Sequence, residues 1–308
     1  MSARSQPQAA SALSSQLMGA GLALSAILVT VPARAETCQF RIENLPSTVA
    51  LTYDAFSPSR APFPLKFQVL NTQDNECQAR FALVDSTNST VSTWVPQNTS
   101  LKLELRPRTG VTRSSFPDHF DLNIEGGQST EVEFDVVVLE EAVVPSGTYN
   151  ERLFLNLYQS DGTTLMEQVP VNLALVSIPR AQLNISGSRG EFGSGGTVSI
   201  VDFGPAETGK ARHVYVQARA NASSRLSFKS MNKGRLRLLD QAEDGPSLEY
   251  KASFDGTPLD LSDISFRDID LPYTYSGLAF ELNLVLGEVA GARAGTYSDE
   301  ITIEISTL

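Results

Sequence analysis

The chain has 308 residues, and its 35 acidic against 24 basic residues give a formal net charge of −11 at pH 7. This excess of negative charge excludes the phosphate backbone of a nucleic acid as a natural partner. The two cysteines have no C-x-x-C spacing and His119 and His213 lie singly, a pattern that does not make a closed four-ligand metal site. We therefore expect neither a metal nor a cofactor.

The first 35 residues predict a secretory signal peptide. They contain Arg4 and no acidic residue, an apolar stretch over residues 17–31, and then Pro32-Ala33-Arg34-Ala35. The small alanines of this motif suit a signal peptidase, so we expect cleavage after Ala35. Glycine, serine and threonine interrupt the apolar stretch, which favours a cleaved signal over a membrane anchor. The mature protein is expected to be exported and to have no membrane span.

The two cysteines, Cys38 and Cys77, follow this segment. In an exported protein a single pair of cysteines favours a disulfide over two free thiols. We predict that Cys38 and Cys77 are bridged.

The rest of the chain shows almost no helical periodicity and many runs in which apolar residues alternate with polar ones. Each run predicts a strand with one buried face. Examples are residues 65–69, 101–105, 132–136, 214–216 and 301–305. Turn signals such as Ser160-Asp161-Gly162 separate the runs. Short strands separated by such turns predict an all-β sandwich or barrel.

An internal repeat divides the chain into two parts. Residues 146–157 read SGTYNERLFLNL and residues 294–305 read AGTYSDEITIEI, so the two copies lie 148 residues apart. In each copy a turn glycine precedes a tyrosine and an alternating strand, as where a late strand enters a sandwich core. We predict two domains in tandem, residues 36–179 and 180–308, after the signal peptide at 1–35.

The two copies continue differently. The first passes through a hairpin-type turn at residues 160–163 into a second strand-like run at 165–176, whereas the second reaches Leu308 eleven residues after Tyr297. We therefore expect the second sandwich to lack its final strand. Its open edge would present Tyr297, Ile301, Ile303 and Ile305.

Several short motifs resemble the spore coat protein U domains, which build the subunits of archaic chaperone-usher pili. They are Gly295-x-Tyr297-x-Asp299 before an alternating strand, Val201-Asp202-Phe203-Gly204, and Leu248-Glu249-Tyr250-Lys251. The first domain is similar at Cys38, Cys77, residues 53–58 and residues 147–149. One departure is that the second domain has no cysteine, and Ala218 stands in the strand that commonly supplies one.

The resemblance implies immunoglobulin-like sandwiches that lack a strand and receive it from a partner by β-augmentation. A periplasmic chaperone would supply this strand first, and the adjacent pilus subunit would replace it at the usher. Two such domains in tandem look like the tip adhesin of a pilus, exported to the periplasm and then displayed at the cell surface. After signal cleavage only Glu36 and Thr37 would precede Cys38, so this chain is expected to accept a strand and to offer none.

A tip subunit would contact a surface or host receptor through its first domain. Three aromatic residues, Phe63, Trp94 and Phe116, lie in polar or proline-containing stretches, as loop residues of a binding surface would. Large apolar side chains are usually inside a protein, so a place in the core is an equal alternative. The sequence leaves both open.

Two other function classes remain in view. A structural protein of a spore coat or surface layer could use the same domain, but it would polymerise and so need a donor segment. A secreted glycosidase would need a pair of carboxylates, and none stands out. No G-x-S-x-G elbow accompanies the histidines. We expect no enzymatic activity and no catalytic residues.

Overall fold

The computed structural model describes residues 38–57, 62–139, 142–239 and 245–308. The predicted signal peptide lies outside these residues. Within the described ranges the chain forms β-strands and one short 3-10 turn, Pro96–Asn98, and no helix there is long and apolar enough to cross a membrane. The all-β fold predicted from the sequence is confirmed.

The first sandwich contains eleven strands within the described residues. They are β1 (Phe40–Glu43), β2 (Thr48–Tyr53), β3 (Phe63–Asn71), β4 (Cys77–Val84), β5 (Thr93–Trp94), β6 (Leu101–Thr109), β7 (Thr112–Arg113), β8 (Phe120–Ile124), β9 (Ser129–Leu139), β10 (Gly147–Gln159) and β11 (Leu165–Ser177). One sheet has the order β1-β3-β9-β6-β5, and the other has the order β2-β11-β10-β4-β8-β7.

The second sandwich contains ten strands within the described residues. They are β12 (Ala181–Ser186), β13 (Ala211–Ala220), β14 (Ser224–Ser230), β15 (Arg235–Leu238), β16 (Ser247–Phe254), β17 (Thr257–Leu259), β18 (Ser265–Ile269), β19 (Leu278–Leu286), β20 (Tyr297–Ser298) and β21 (Ile301–Thr307). The larger sheet has the order β12-β13-β19-β16-β15-β20, with β17 paired to β16, and the smaller one has the order β18-β14-β21.

Alternation along the strands explains why each sandwich has one core. In β3 the side chains of Leu65, Phe67 and Val69 are buried while their neighbours face outward. A ring cluster fills the centre of the first core, where Phe81 and Phe134 meet edge to face with centroids 4.9 Å apart. The second sandwich has a separate buried cluster that contains Val216, Leu226, Phe228 and Phe254.

The strands confirm that the sequence repeat is a structural repeat. The first residues of β3 and β13 differ by 148 (211 minus 63), those of β9 and β19 by 149 (278 minus 129), and those of β4 and β14 by 147 (224 minus 77). The two strands of each pair also have equivalent neighbours, because the order β1-β3-β9-β6 corresponds to β12-β13-β19-β16 and the order β10-β4-β8 corresponds to β21-β14-β18. The second sandwich therefore repeats the first strand by strand over most of its length.

A tyrosine corner marks the same point in both copies. The hydroxyl of Tyr149 donates to the carbonyl of Pro145 at 2.9 Å, and that of Tyr297 donates to the carbonyl of Arg293 at 3.0 Å. The glycine two residues earlier has a φ of 148° in the first copy and 150° in the second, a conformation that favours glycine. The repeated G-T-Y motif thus places a hydrogen-bonded tyrosine at the start of a core strand.

The predicted disulfide is confirmed. Cys38 and Cys77 are bonded, with their Cα atoms 5.8 Å apart. The bond ties the segment before β1 to the first residue of β4 and so links the two sheets of the first sandwich.

Asn221 joins the two sandwiches. Its fully buried side chain donates to the carbonyls of Val144 and Ile178 at 3.2 and 2.9 Å, and it accepts from the backbone N–H of Arg180 at 2.7 Å. Its own carbonyl accepts from the N–H of Ser146 at 2.7 Å. The described residues form one compact unit, and the domain boundary at residues 179 and 180 stays a prediction.

Candidate functional site

The repeated strand has two neighbours in the first sandwich and one in the second. β10 pairs with β4 on one side and, over residues 147–158, with β11 on the other. β11 pairs in turn with β2, which runs parallel to it. β21 pairs with β14, and no strand of the described residues pairs with its other edge. The position that β11 occupies in the first sandwich is thus open in the second.

A groove of about 730 Å3 lies beside the open strand. Apolar side chains from both sheets form most of its lining. They include Ile185, Val214, Leu236, Leu248, Leu282, Leu284, Leu286, Ile301 and Ile303.

Equivalent positions of the repeat differ in burial. In β10, Leu153, Leu155 and Leu157 are 1, 2 and 1% exposed. Their counterparts Ile301, Ile303 and Ile305 are only partly buried against the second core. Ile301 and Ile303 line the groove, and Tyr297 lines it from β20 in the other sheet. Ile305 packs against the second core and is not one of the lining residues.

Within the segment of residues 197–206, residues 199–206 line the opposite wall. Val201 and Phe203 turn inward and pack against the second core, whereas Val198 and Ile200 are 80 and 91% exposed. The segment is not a strand, although the 148-residue offset of the repeat makes residues 196–201 the counterpart of β2. Arg212 holds it by donating from Nε to the carbonyl of Asp202 at 3.0 Å.

One end of the groove is polar. The carboxylate of Asp299 accepts from the hydroxyls of Ser230 and Tyr250, at 2.6 and 2.5 Å, and from the N–H of Asn232 at 2.9 Å. Burial of the phenol, together with its hydrogen bond to the charged Asp299, raises the pKa of Tyr250 well above its usual range. This network fixes the turn between β20 and β21.

The groove suits an extended peptide chain. It is long, mostly apolar, and bordered by a strand whose outer N–H and C=O groups are unpaired within the sheets. An added strand could satisfy those groups while its alternate side chains fill the groove. Among the described residues, no group of three or more His, Cys, Asp or Glu side chains could hold a metal ion.

The three aromatic residues singled out in the first sandwich do not form one surface. Trp94 is 5% exposed and belongs to the core, so of the two alternatives the core position holds for this residue, and it is not available for a surface contact. It pairs with Leu101 at the edge of a sheet, and the two-residue strand β5 is too short for alternation to show which face is buried. Phe63 is half-buried against the same core. Phe116 is 43% exposed and lies on the other sheet's outer side, against Arg80.

Sequence reasoning missed the second wall of the groove. No clear alternation marks this segment, because the exposed Val198 and Ile200 are as apolar as the inward Val201 and Phe203. The proximity of residues 197–206 to β21 is a long-range feature, which a local sequence pattern does not contain.

No family model matches the chain, and no curated protein does. Among solved structures, the chain is similar to a chain of the chaperone–tip adhesion subunit pre-assembly complex from archaic chaperone-usher Csu pili of Acinetobacter baumannii. The identity is 9%, the match covers 86% of this chain and 99% of that chain, and the TM-score is 0.45.

Two further similarities involve CFA/I fimbriae. A chaperone–tip adhesin complex of these fimbriae matches at 14% identity over 86% of this chain and 98% of that chain, with a TM-score of 0.37. The adhesive subunit of CFA/I fimbria from enterotoxigenic Escherichia coli matches at 12% identity over 85% of this chain and 93% of that chain, with a TM-score of 0.34. All three TM-scores lie below 0.5, and similarity at this distance carries no information on function.

Proposed function

We propose that this protein is a subunit of a pilus-like surface fibre and that its second sandwich binds a β-strand from another polypeptide in the groove beside β21. The proposed role is binding and needs no catalytic chemistry. The occupant is a segment of about six residues or more whose alternate side chains are apolar.

One observation carries this proposal, namely the contrast between β10 and β21. The same repeated sequence is covered by β11 in the first sandwich and borders an open groove in the second. Three partly buried isoleucines there forfeit a share of the roughly 1.5–3 kcal/mol that each contributes when fully buried. An unpaired apolar edge is also a template for aggregation. Both costs disappear when a partner strand fills the groove.

β11 supplies a template for the occupant. It runs antiparallel to β10 and parallel to β2, and its Val171, Leu173 and Leu175 are fully buried. A partner strand would accordingly run antiparallel to β21, with the segment at residues 197–206 on its other side.

We further propose the order of partners that the sequence resemblance implies. After export and signal cleavage, a periplasmic chaperone would protect the groove, and the donor segment of the adjacent subunit would replace it at the usher. The first sandwich already contains a strand between β10 and β2, which supports a place at the end of the fibre, where it would contact a surface or host receptor.

The proposal can be tested by adding a strand to the full chain. Residues 161–177 would be copied after Leu308, which is the counterpart of Ser160, so that the hairpin turn and the strand sequence of β11 can fold back onto β21. We expect the second sandwich to gain about 3 kcal/mol from the covered isoleucines, which corresponds to a rise of roughly 10 °C in its melting temperature. Differential scanning calorimetry would measure this rise.

A matched control carries the same extension with serine at the three positions copied from Val171, Leu173 and Leu175. It has the same length but cannot fill the apolar groove. If both extensions leave the melting temperature and the monomer yield of the parent unchanged, the groove does not accept a strand and the proposal is wrong.

A further inference from the structure

A second cavity lies in the first sandwich, on the outer side of the sheet that contains β4 and β8. It measures about 420 Å3, within the range of about 300–1,000 Å3 that small-molecule sites occupy. Six polar side chains contribute to its lining. They are Gln78, Arg80, Thr112, Asp121, Asn123 and Ser160.

Arg80 is the most unusual of these residues, because it is only 8% exposed and yet lies on the outer side of the sheet. Its Nε donates to Asp121 at 2.6 Å, and its guanidinium carbon lies 4.1 Å from the ring centroid of Phe116. Its Nη1 group donates to no acceptor among the described residues. This nitrogen is enclosed by protein atoms, so other atoms of Arg80 line the cavity.

Gly162 packs directly on this guanidinium. A Cβ atom at that position would lie 2.6 Å from Nη1, and the φ of Gly162 is +71°, so only glycine fits both the turn and the contact. The β10–β11 hairpin thus holds Arg80 in place at the edge of the cavity. The arginine is oriented by contacts on three sides, which suits a binding residue.

The lining favours a neutral, hydroxyl-rich ligand. The charges of Arg80 and Asp121 cancel within their ion pair, so the cavity does not favour an ion of either sign. Amides, hydroxyls and a carboxylate together offer both donors and acceptors, as a molecule with several hydroxyl groups requires. Ala79, Val111 and Leu122 add apolar surface to the lining, which can contact the carbon-bound faces of such a molecule.

The cavity lies at the end of the first sandwich that is remote from the second. β10 begins beside Asn221, which accepts from the N–H of Ser146, and it ends at Gln159, next to the cavity residue Ser160. Its 13 residues span about 40 Å at roughly 3.3 Å per residue. A ligand on another surface could therefore reach this cavity without touching the groove.

We propose that this cavity binds a neutral saccharide. Thr112, Ser160 and Asn123 would hydrogen-bond its hydroxyl groups, and Arg80 would orient Asp121 toward them. The proposal names a ligand class for the contact that the first sandwich makes, and it is independent of whether the groove accepts a strand.

The test uses the full exported chain, labelled with 15N, and the methyl glycosides of glucose, galactose, mannose and N-acetylglucosamine. We expect at least one of them to shift the amide resonances of Gln78, Thr112 and Asn123 in a saturable way. Thr112→Val and Ser160→Ala should each weaken this binding about three- to tenfold, the effect of one lost hydrogen bond.

Thr109→Val is the matched control, because it removes a hydroxyl from an exposed residue near the same turn but outside the cavity. It should bind like the parent. The proposal is overturned if none of the four glycosides binds, or if Thr112→Val and Ser160→Ala both bind as well as the parent. It is also overturned if methyl glucuronide binds and the four neutral glycosides do not, since the ligand class would then be anionic.

Discussion

The two sandwiches contain the same strand in two environments. In the first, β10 lies between β4 and β11, and its inward leucines are almost fully buried. In the second, β21 has β14 on one side and an open groove on the other. The comparison teaches that an alternating strand sequence specifies which face is apolar. What covers that face depends on whether a neighbouring strand is present.

The sandwiches also differ in how their sheets are tied together. The first has the disulfide between Cys38 and Cys77. In the second, all described contacts between the sheets are non-covalent, because the chain has no other cysteine. Each of the following experiments removes or exposes one such difference.

Removing the disulfide should have the largest effect. In the Cys38→Ser/Cys77→Ser variant, the first sandwich would lose the constraint on a loop of sequence separation 39, worth about 4 kcal/mol. Denaturant unfolding should show a lower midpoint for the first sandwich and an unchanged midpoint for the second. Equal midpoints before and after the substitution would mean that the bond is not needed for stability.

A pair of alanine substitutions at equivalent repeat positions should sharpen the comparison. Leu155→Ala is expected to cost about 3 kcal/mol, the typical effect of emptying a buried site. Ile303→Ala should cost about half as much, because Ile303, the counterpart of Leu155 in the open strand, is only partly buried. Unfolding in urea measures both.

The strand-extended chain provides the control for this pair. Once the groove is filled, Ile303→Ala should cost as much as Leu155→Ala. If the cost at residue 303 is the same with and without the extension, the added strand does not cover the isoleucine.

The smallest expected effect concerns pH. Because the folded protein raises the pKa of Tyr250 above the ordinary value of 10.0, the folded state holds this proton more tightly than the unfolded state does. The resulting stability is fully present below about pH 10 and is lost as the pH rises further, at no more than about 1.4 kcal/mol per pH unit. Tyr250→Phe should remove this part of the slope.

Thermal unfolding of Tyr250→Phe and parent between neutral pH and pH 11 would measure the difference. Other tyrosines titrate in both proteins, so only the difference between the two curves reports on Tyr250. Parallel curves would show that folding does not raise the pKa of Tyr250.

Local patterns were sufficient for much of the fold. Alternation located the strands around residues 65–69, 132–136 and 301–305, and the repeated G-T-Y motif located two equivalent core strands, each beginning at a tyrosine corner. The single pair of cysteines was enough to predict the disulfide. The strands and the tyrosine corners depend on residues that are close in the sequence. The disulfide depends on a bond that only the two cysteines of the chain can form.

Other features depend on contacts that a linear pattern does not contain. The buried position of Trp94 follows from its pairing with Leu101, and the role of Asn221 follows from hydrogen bonds to Val144 and Ile178. The cavity beside Arg80 combines residues from β4, β7, β8 and two turns. The domain boundary and the absence of enzymatic activity stay predictions.

Asn221 has a mechanical consequence in the proposed fibre. Tension between an attached surface and the strand held in the groove must pass from the first sandwich to the second. A single peptide link at residues 178–180 would act as a swivel, whereas the hydrogen bonds of Asn221 to Val144 and Ile178 resist rotation about that link. The two sandwiches would therefore rotate together under load as one rigid unit.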